Sequence, residues 1–210
     1  MALTAFVLYL LGLTLAFGVR TLVAWRRTGD TGFRRPETRP GSPAWWGAVL
    51  FVGALLLGLA APVAALTGLP TASAESHPAV GWAGIAAMVL GLVLVLASQA
   101  AMGSSWRIGV DEAEHTALIT TGIFAVVRNP VFTAMAVLMA GMVAAVPTWP
   151  SAAALAALIT AVQIQVRAIE EPYLLRAHPT GYSAYAGRTG RFLPGIGRLK
   201  ETDTAAENPR

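Results

Sequence analysis

The sequence contains no cysteine, and only 12% of its 210 residues are charged. The first absence excludes disulfides, thiolate metal sites, cysteine nucleophiles and palmitoyl anchors, so any chemistry rests on other groups. The second excludes a water-soluble globule, a disordered chain and a nucleic-acid binder, because a soluble domain carries about 25% charged residues. Histidine is scarce too: His77, His115 and His178 are scattered, so no metal is expected. What fills the chain is apolar. Hydrophobic residues make up 55% and the mean hydropathy is +0.60, the composition of an integral membrane protein. A net charge of +4 and a pI near 10.1 do not call for nucleic acid, since the arginines border apolar blocks.

Five apolar blocks approach the roughly 20 residues that cross about 30 Å of hydrocarbon. They cover residues 3–25, 44–66, 82–102, 131–146 and 151–166. No positive segment precedes the first, which is longer than a signal-peptide core, so it reads as a span. Arg20 near its end reads as a snorkelling anchor. Trp45 and Trp46 form an interfacial pair at the start of the second block, and Ser98 and Gln99 lie near the end of the third. The last two blocks, joined by Pro147-Thr148-Trp149-Pro150, read as a tight helical hairpin, with glycine and alanine in blocks three to five permitting close packing. Five arginines lie from Arg26 to Arg39, Arg107 and Arg128 lie in the segment 103–130, and six arginines and Lys200 follow the fifth block. The segment 67–81 and the Pro147 turn carry none. The positive-inside rule then predicts an outside N-terminus and a cytoplasmic C-terminus, in the inner membrane of a bacterium. The expected fold is an all-α integral membrane protein with five transmembrane helices and a C-terminal cytosolic cap.

Polar residues concentrate in two stretches. In the first, Gly122 marks a turn and Asn129-Pro130 enters the fourth helix, whose N-terminus offers free N–H groups to an anion. Arg128, just before it, reads as a lipid-headgroup anchor. In the second, Gln163, Arg167, Glu170 and Glu171 recur at spacings of three and four, which predicts one shared helical face. Carboxylates at a membrane boundary should face protein, a cavity or water rather than lipid. Pro172 then predicts a kink or a helix restart. The glycine- and threonine-containing loop from Arg26 to Pro36 is chiefly a topogenic basic loop that could also close over an entrance.

In order, these pieces resemble the C-terminal half of the isoprenylcysteine carboxyl methyltransferase and phospholipid methyltransferase superfamily. Leu118-Ile119-Thr120-Thr121-Gly122-Ile123-Phe124 stands where that family has a segment like LVTSGVY, and Arg128-Asn129-Pro130-Val131-Phe132 stands where it has RHPxY. A hydrophobic hairpin follows, then Arg167, Glu170-Glu171, Leu174, Tyr182, Tyr185 and the basic, proline-bearing run from Arg188 to Pro194. The similarity covers residues 103–197, preceded by three helices in 1–102, with a basic loop at 26–43, and followed by a tail, 198–210, of disordered composition.

The resemblance implies a methyltransferase using S-adenosyl-L-methionine held under the cap. It implies cofactor contacts from Thr116, Ala117, Leu118, Ile119, Phe124, Asn129, Pro130, Val131, Phe132 and Glu170. It implies catalytic positions at Arg167, for a substrate carboxylate, and Glu171. The acceptor would be lipophilic, entering from the surrounding membrane lipids, with a prenylated cysteine carboxylate as the family default. Lipid-amine or thiol methylation, a sterol-reductase-like NADPH enzyme and a non-catalytic binding protein are the alternatives. Asn129 replaces the family's histidine, and Phe124 and Phe132 replace its tyrosines, removing a ring donor and two hydroxyls. Arg167 precedes Glu170 by three residues instead of four, so Val166 holds the matching place unless a local bulge restores the register.

Overall fold

The computed structural model describes residues 1–29, 31, 39–68, 78–103 and 118–199, and its regular elements are all helical, with no strand among these residues. The expectations placed on Thr116, Ala117, Arg107, His77, His115, most of the loop 26–36 and the tail beyond 199 lie outside the described residues.

Helix α1 (Ala2–Leu13) runs through a π-helical stretch, Thr14–Val19, into α2 (Arg20–Thr28). Helices α3 (Pro43–Leu66) and α4 (Pro78–Met102) follow. After a 3-10 turn, Gly122–Ala125, come α5 (Pro130–Ala145) and α6 (Trp149–Ile164). A second π-helical stretch, Gln165–Glu170, leads into α7 (Glu171–Ala177) and α8 (Pro179–Arg188). Among the described residues, four helical runs are long and apolar enough to cross a membrane: Ala2–Arg26, Pro43–Leu66, Pro78–Met102 and Trp149–Ala177. The fourth apolar block forms the shorter helix α5, whose 16 residues span about 24 Å.

Local chemistry sets the helix ends. Ser42 Oγ accepts from Trp45 N (3.2 Å), with Pro43 in the first turn of α3. At the hairpin turn, Thr148 N donates to Ser151 Oγ (3.1 Å) and Ser151 N to Thr148 Oγ1 (3.4 Å), a reciprocal cap that starts α6. Gly122 sits at φ +61°, the left-handed turn expected of it. Pro172 lies in the first turn of α7, where the winding passes from π to α with no break in the helical run Trp149–Ala177.

The hairpin arms take different main partners: α5 packs along α4, and α6 along α3. The α4–α5 contact depends on missing side chains. A Cβ on Gly84 would lie 2.5 Å from Ala145 N, on Gly91 2.6 Å from Leu138 N, and on Gly141 2.6 Å from Gly84 O. Such backbone approach is how helices gain dispersion contacts where lipid removes the hydrophobic drive. Tyr9, Met88, Met139, Met142, Leu158 and Val166 fill the buried core between the helices. Arg20, expected to snorkel, instead donates through Nη2 to the carbonyls of Gln99 (3.0 Å) and Gly103 (2.9 Å), closing the last turn of α4.

Candidate functional site

The two neighbouring carboxylates meet different surroundings. Glu171 is buried, and both its oxygens are taken. Oε1 accepts from Arg128 Nη2 (2.5 Å) and Arg191 Nε (2.8 Å), and Oε2 from Arg191 Nη2 (2.8 Å). This two-pronged bond holds the Arg191 guanidinium above its ordinary pKa. Glu170 makes one hydrogen bond of this kind: its Oε1 accepts from Gln165 Nε2 (3.2 Å).

Arg128 corrects an expectation. Its side chain is only 1% exposed, so it is no lipid-headgroup anchor. Nη1 donates to the carbonyls of Ala186 (2.9 Å) and Thr189 (2.7 Å), while Nη2 also reaches Gly197 O (3.2 Å). The backbone runs parallel to the side-chain links. Arg128 N donates to Gly190 O (2.9 Å), Asn129 N and Nδ2 both donate to Arg191 O (3.1 and 3.0 Å), and Thr133 Oγ1 donates to Phe192 O (2.8 Å). Tyr185 Oη donates to Phe124 O (2.5 Å), tying α8 to the 3-10 turn. Burial pushes the Tyr185 phenol up to about 12 and raises that of Tyr182 as well, so both hydroxyls stay protonated near neutrality. The start of α5 and the chain after α8 are thus laced into one unit.

That unit walls a cavity of about 470 Å³, a size suited to a small-molecule ligand. Leu118, Ile119, Phe124, Asn129, Pro130, Val131, Phe132, Glu170 and Glu171 all line it, which is every described position given a cofactor or catalytic role by the resemblance except Arg167. Arg167 is exposed and its Nε donates to Gln163 Oε1 (2.7 Å). Val166, fully buried, lines the cavity in its place. The four polar residues of this region therefore do not share a face: Gln163 and Arg167 pair on the outside, while Glu170 and Glu171 turn inward. The cause is the π-helical winding of Gln165–Glu170, which breaks the 3.6-residue register that the spacing argument assumed.

Several lining residues carried no sequence signal. Leu13, Phe17, Phe51, Leu92 and Val95 supply apolar wall from α1, the first π-helical stretch, α3 and α4. Gln99 is the exception, a polar side chain in an apolar block; it is buried, lines the cavity, and donates through Nε2 to Ala16 O (3.1 Å) in that π-helical stretch. Both π-helical stretches contribute to the wall, as such windings often do at functional sites.

A family model described as phospholipid methyltransferase matches residues 80–180, from the start of α4 into α8. No curated protein and no solved structure matches the chain significantly. The matched segment contains the α4–α5 contact, the hairpin, both carboxylates and most of the polar wall of the cavity. On that match, residues 80–180 of this membrane protein belong to the phospholipid methyltransferase family, within the superfamily of membrane methyltransferases that includes the isoprenylcysteine carboxyl methyltransferases.

Proposed function

We propose that the chain is an S-adenosylmethionine-dependent methyltransferase acting on a lipophilic acceptor at the cytosolic face of a bacterial inner membrane. The observation that carries this reading is the gathering of eight sequence-assigned cofactor positions, Leu118, Ile119, Phe124, Asn129, Pro130 to Phe132 and Glu170, around one cavity that also has apolar walls. The residues suit the cofactor. Among the described residues the Glu170 carboxylate is committed to no arginine, ready to accept from an ammonium group, and Phe124 and Phe132 offer rings for apolar and aromatic contact. When bound, the cofactor supplies an electrophilic methyl group on a sulfonium. Transfer from it is an in-line displacement, so the protein's task is positioning and water exclusion. The cap of α7, α8 and the following turn, held by Arg128 and Glu171, would do both. Glu171 acts here as a positioning residue, since its oxygens are occupied by Arg128 and Arg191. In this reading α5 also crosses the bilayer, as the fourth of five spans.

The acceptor reading shifts from the family default. A substrate carboxylate needs an arginine fork, but Arg167 faces away from the cavity, and both terminal nitrogens of Arg128 are engaged. A lipid amine or a thiol fits these walls better than a prenylcysteine carboxylate. Accordingly, Arg167→Ala is expected to leave methyl transfer unchanged and to alter stability by no more than about 0.5 kcal/mol, the ordinary range for a surface substitution. A large loss of transfer with normal cofactor affinity would restore the carboxylate assignment.

The cofactor assignment is tested by calorimetric titration of S-adenosylhomocysteine into detergent-purified protein. Wild type should bind, and Glu170→Ala should weaken binding by roughly tenfold or more, as expected for a lost charge-assisted hydrogen bond of about 1.5–3 kcal/mol. A folded wild-type protein with no affinity would sink the reading. Labelled methyl transfer to phosphatidylethanolamine, an alkyl thiol and a prenylcysteine then ranks the acceptors.

A further inference from the structure

Beyond the cavity, the turn that follows α8 carries an apolar tip that is more than half exposed. Leu193 is 53% exposed and Ile196 63%, on either side of Pro194 and Gly195. The turn is closed by Arg191 N donating to Ile196 O (2.8 Å) and Ile196 N to Leu193 O (3.1 Å), so both side chains are held out on a braced backbone. Two large aliphatic residues displayed in this way are costly in water.

Its height in the fold says what covers it. Phe192 packs against the core, and its carbonyl accepts from Thr133 Oγ1, in the first turn of α5. Because α5 is about 24 Å long, shorter than the roughly 30 Å of hydrocarbon, its first turn lies at the edge of the hydrocarbon or within it. The tip sits beside that turn. Val126, just before Val127, which pairs with Gly190, is a further exposed aliphatic side chain near this segment. Arg198 is exposed and its guanidinium lies against Gly195, placing a cation where lipid phosphates would be.

We propose that the turn from Phe192 to Gly197 is a wedge inserted into the headgroup–acyl boundary of the leaflet at this end of the helices, with Leu193 and Ile196 in the acyl region and Arg198 at the phosphates. The wedge sets the height of the polar wall, because the carbonyls of Gly190 and Arg191 at its base hold the backbone of Arg128 and Asn129. This placement holds whether or not the chain transfers methyl groups.

The absence of native cysteine makes the test direct. Leu193→Cys and Ile196→Cys, each labelled with an environment-sensitive fluorophore, are reconstituted into phosphatidylcholine–phosphatidylglycerol vesicles. Leu56→Cys, on the exposed face of α3, serves as the lipid-facing reference, and the free dye conjugate as the aqueous one. Insertion predicts that labels at 193 and 196 lose most of their emission to a shallow lipid-borne nitroxide and, like the Leu56→Cys label, little to aqueous iodide. Strong quenching by iodide would overturn the wedge. Protection from both quenchers would overturn it too, by showing that protein covers the tip.

Discussion

Arg128→Met is expected to destabilise the protein by about 3–5 kcal/mol, the usual consequence of removing one partner from a buried ion cluster. The deletion does more than break one pair. Glu171 loses one of its two cationic neighbours, while the buried carbonyls of Ala186 and Thr189, and that of Gly197, lose a donor. Arg128→Lys keeps the charge but replaces a planar fork with a single ammonium, which cannot reach this spread of acceptors together, so it recovers only part of the loss. The measurement is reversible unfolding in mixed micelles, with Glu171→Met and the Arg128→Met/Glu171→Met pair completing a cycle. Contact between the side chains predicts a coupling of about 0.5–3 kcal/mol. Additive losses, or an Arg128→Met cost near zero, would show that the cluster does not hold the two segments together.

The second large effect is expected at Gly91. Its missing Cβ would meet Leu138 N at 2.6 Å and Ala134 O at 2.8 Å, both backbone atoms of α5. No rotamer change relieves such a contact, so α4 and α5 must move apart. Gly91→Leu is therefore expected to cost about 3 kcal/mol, at the upper end of ordinary overpacking, and Gly91→Ala somewhat less. Gly53→Leu is the control, because nothing lies within 4 Å of its would-be Cβ. There the gain of a better helix former should leave stability equal or raised by up to about 1 kcal/mol. If Gly91→Leu and Gly53→Leu unfold alike, the close approach of α4 and α5 has no energetic weight.

The spans were legible because their signal is local. Apolar runs of near-membrane length, proline in the first turn and the Pro147-Thr148-Trp149-Pro150 connection suffice to place helix ends within a few residues. The cofactor candidates were legible as an ordered motif, and the cavity brings the described ones together. Two features were not. The orientation of Arg167 depends on π-helical winding, which leaves no mark in a periodicity read at 3.6 residues per turn. The Arg128–Glu171–Arg191 cluster joins positions 43 and 20 residues apart, and nothing in the local sequence around Arg128 separates a buried brace from a headgroup anchor. The apolar walls were invisible for a different reason: Phe17 and Phe51 look like any lipid-facing or core residue in a composition this uniform.

The turn between α5 and α6 bears on how the chain enters its membrane. Thr148 and Ser151 are buried, and their polar groups close on one another and on Val146, with Ser151 Oγ donating to Val146 O at 2.7 Å. A connection with no charge, whose two hydroxyls are answered within the turn, crosses hydrocarbon at lower cost than a charged loop. The two helices can therefore be inserted during biogenesis as one folded hairpin, pushed through turn first, without a translocated loop to drag behind them.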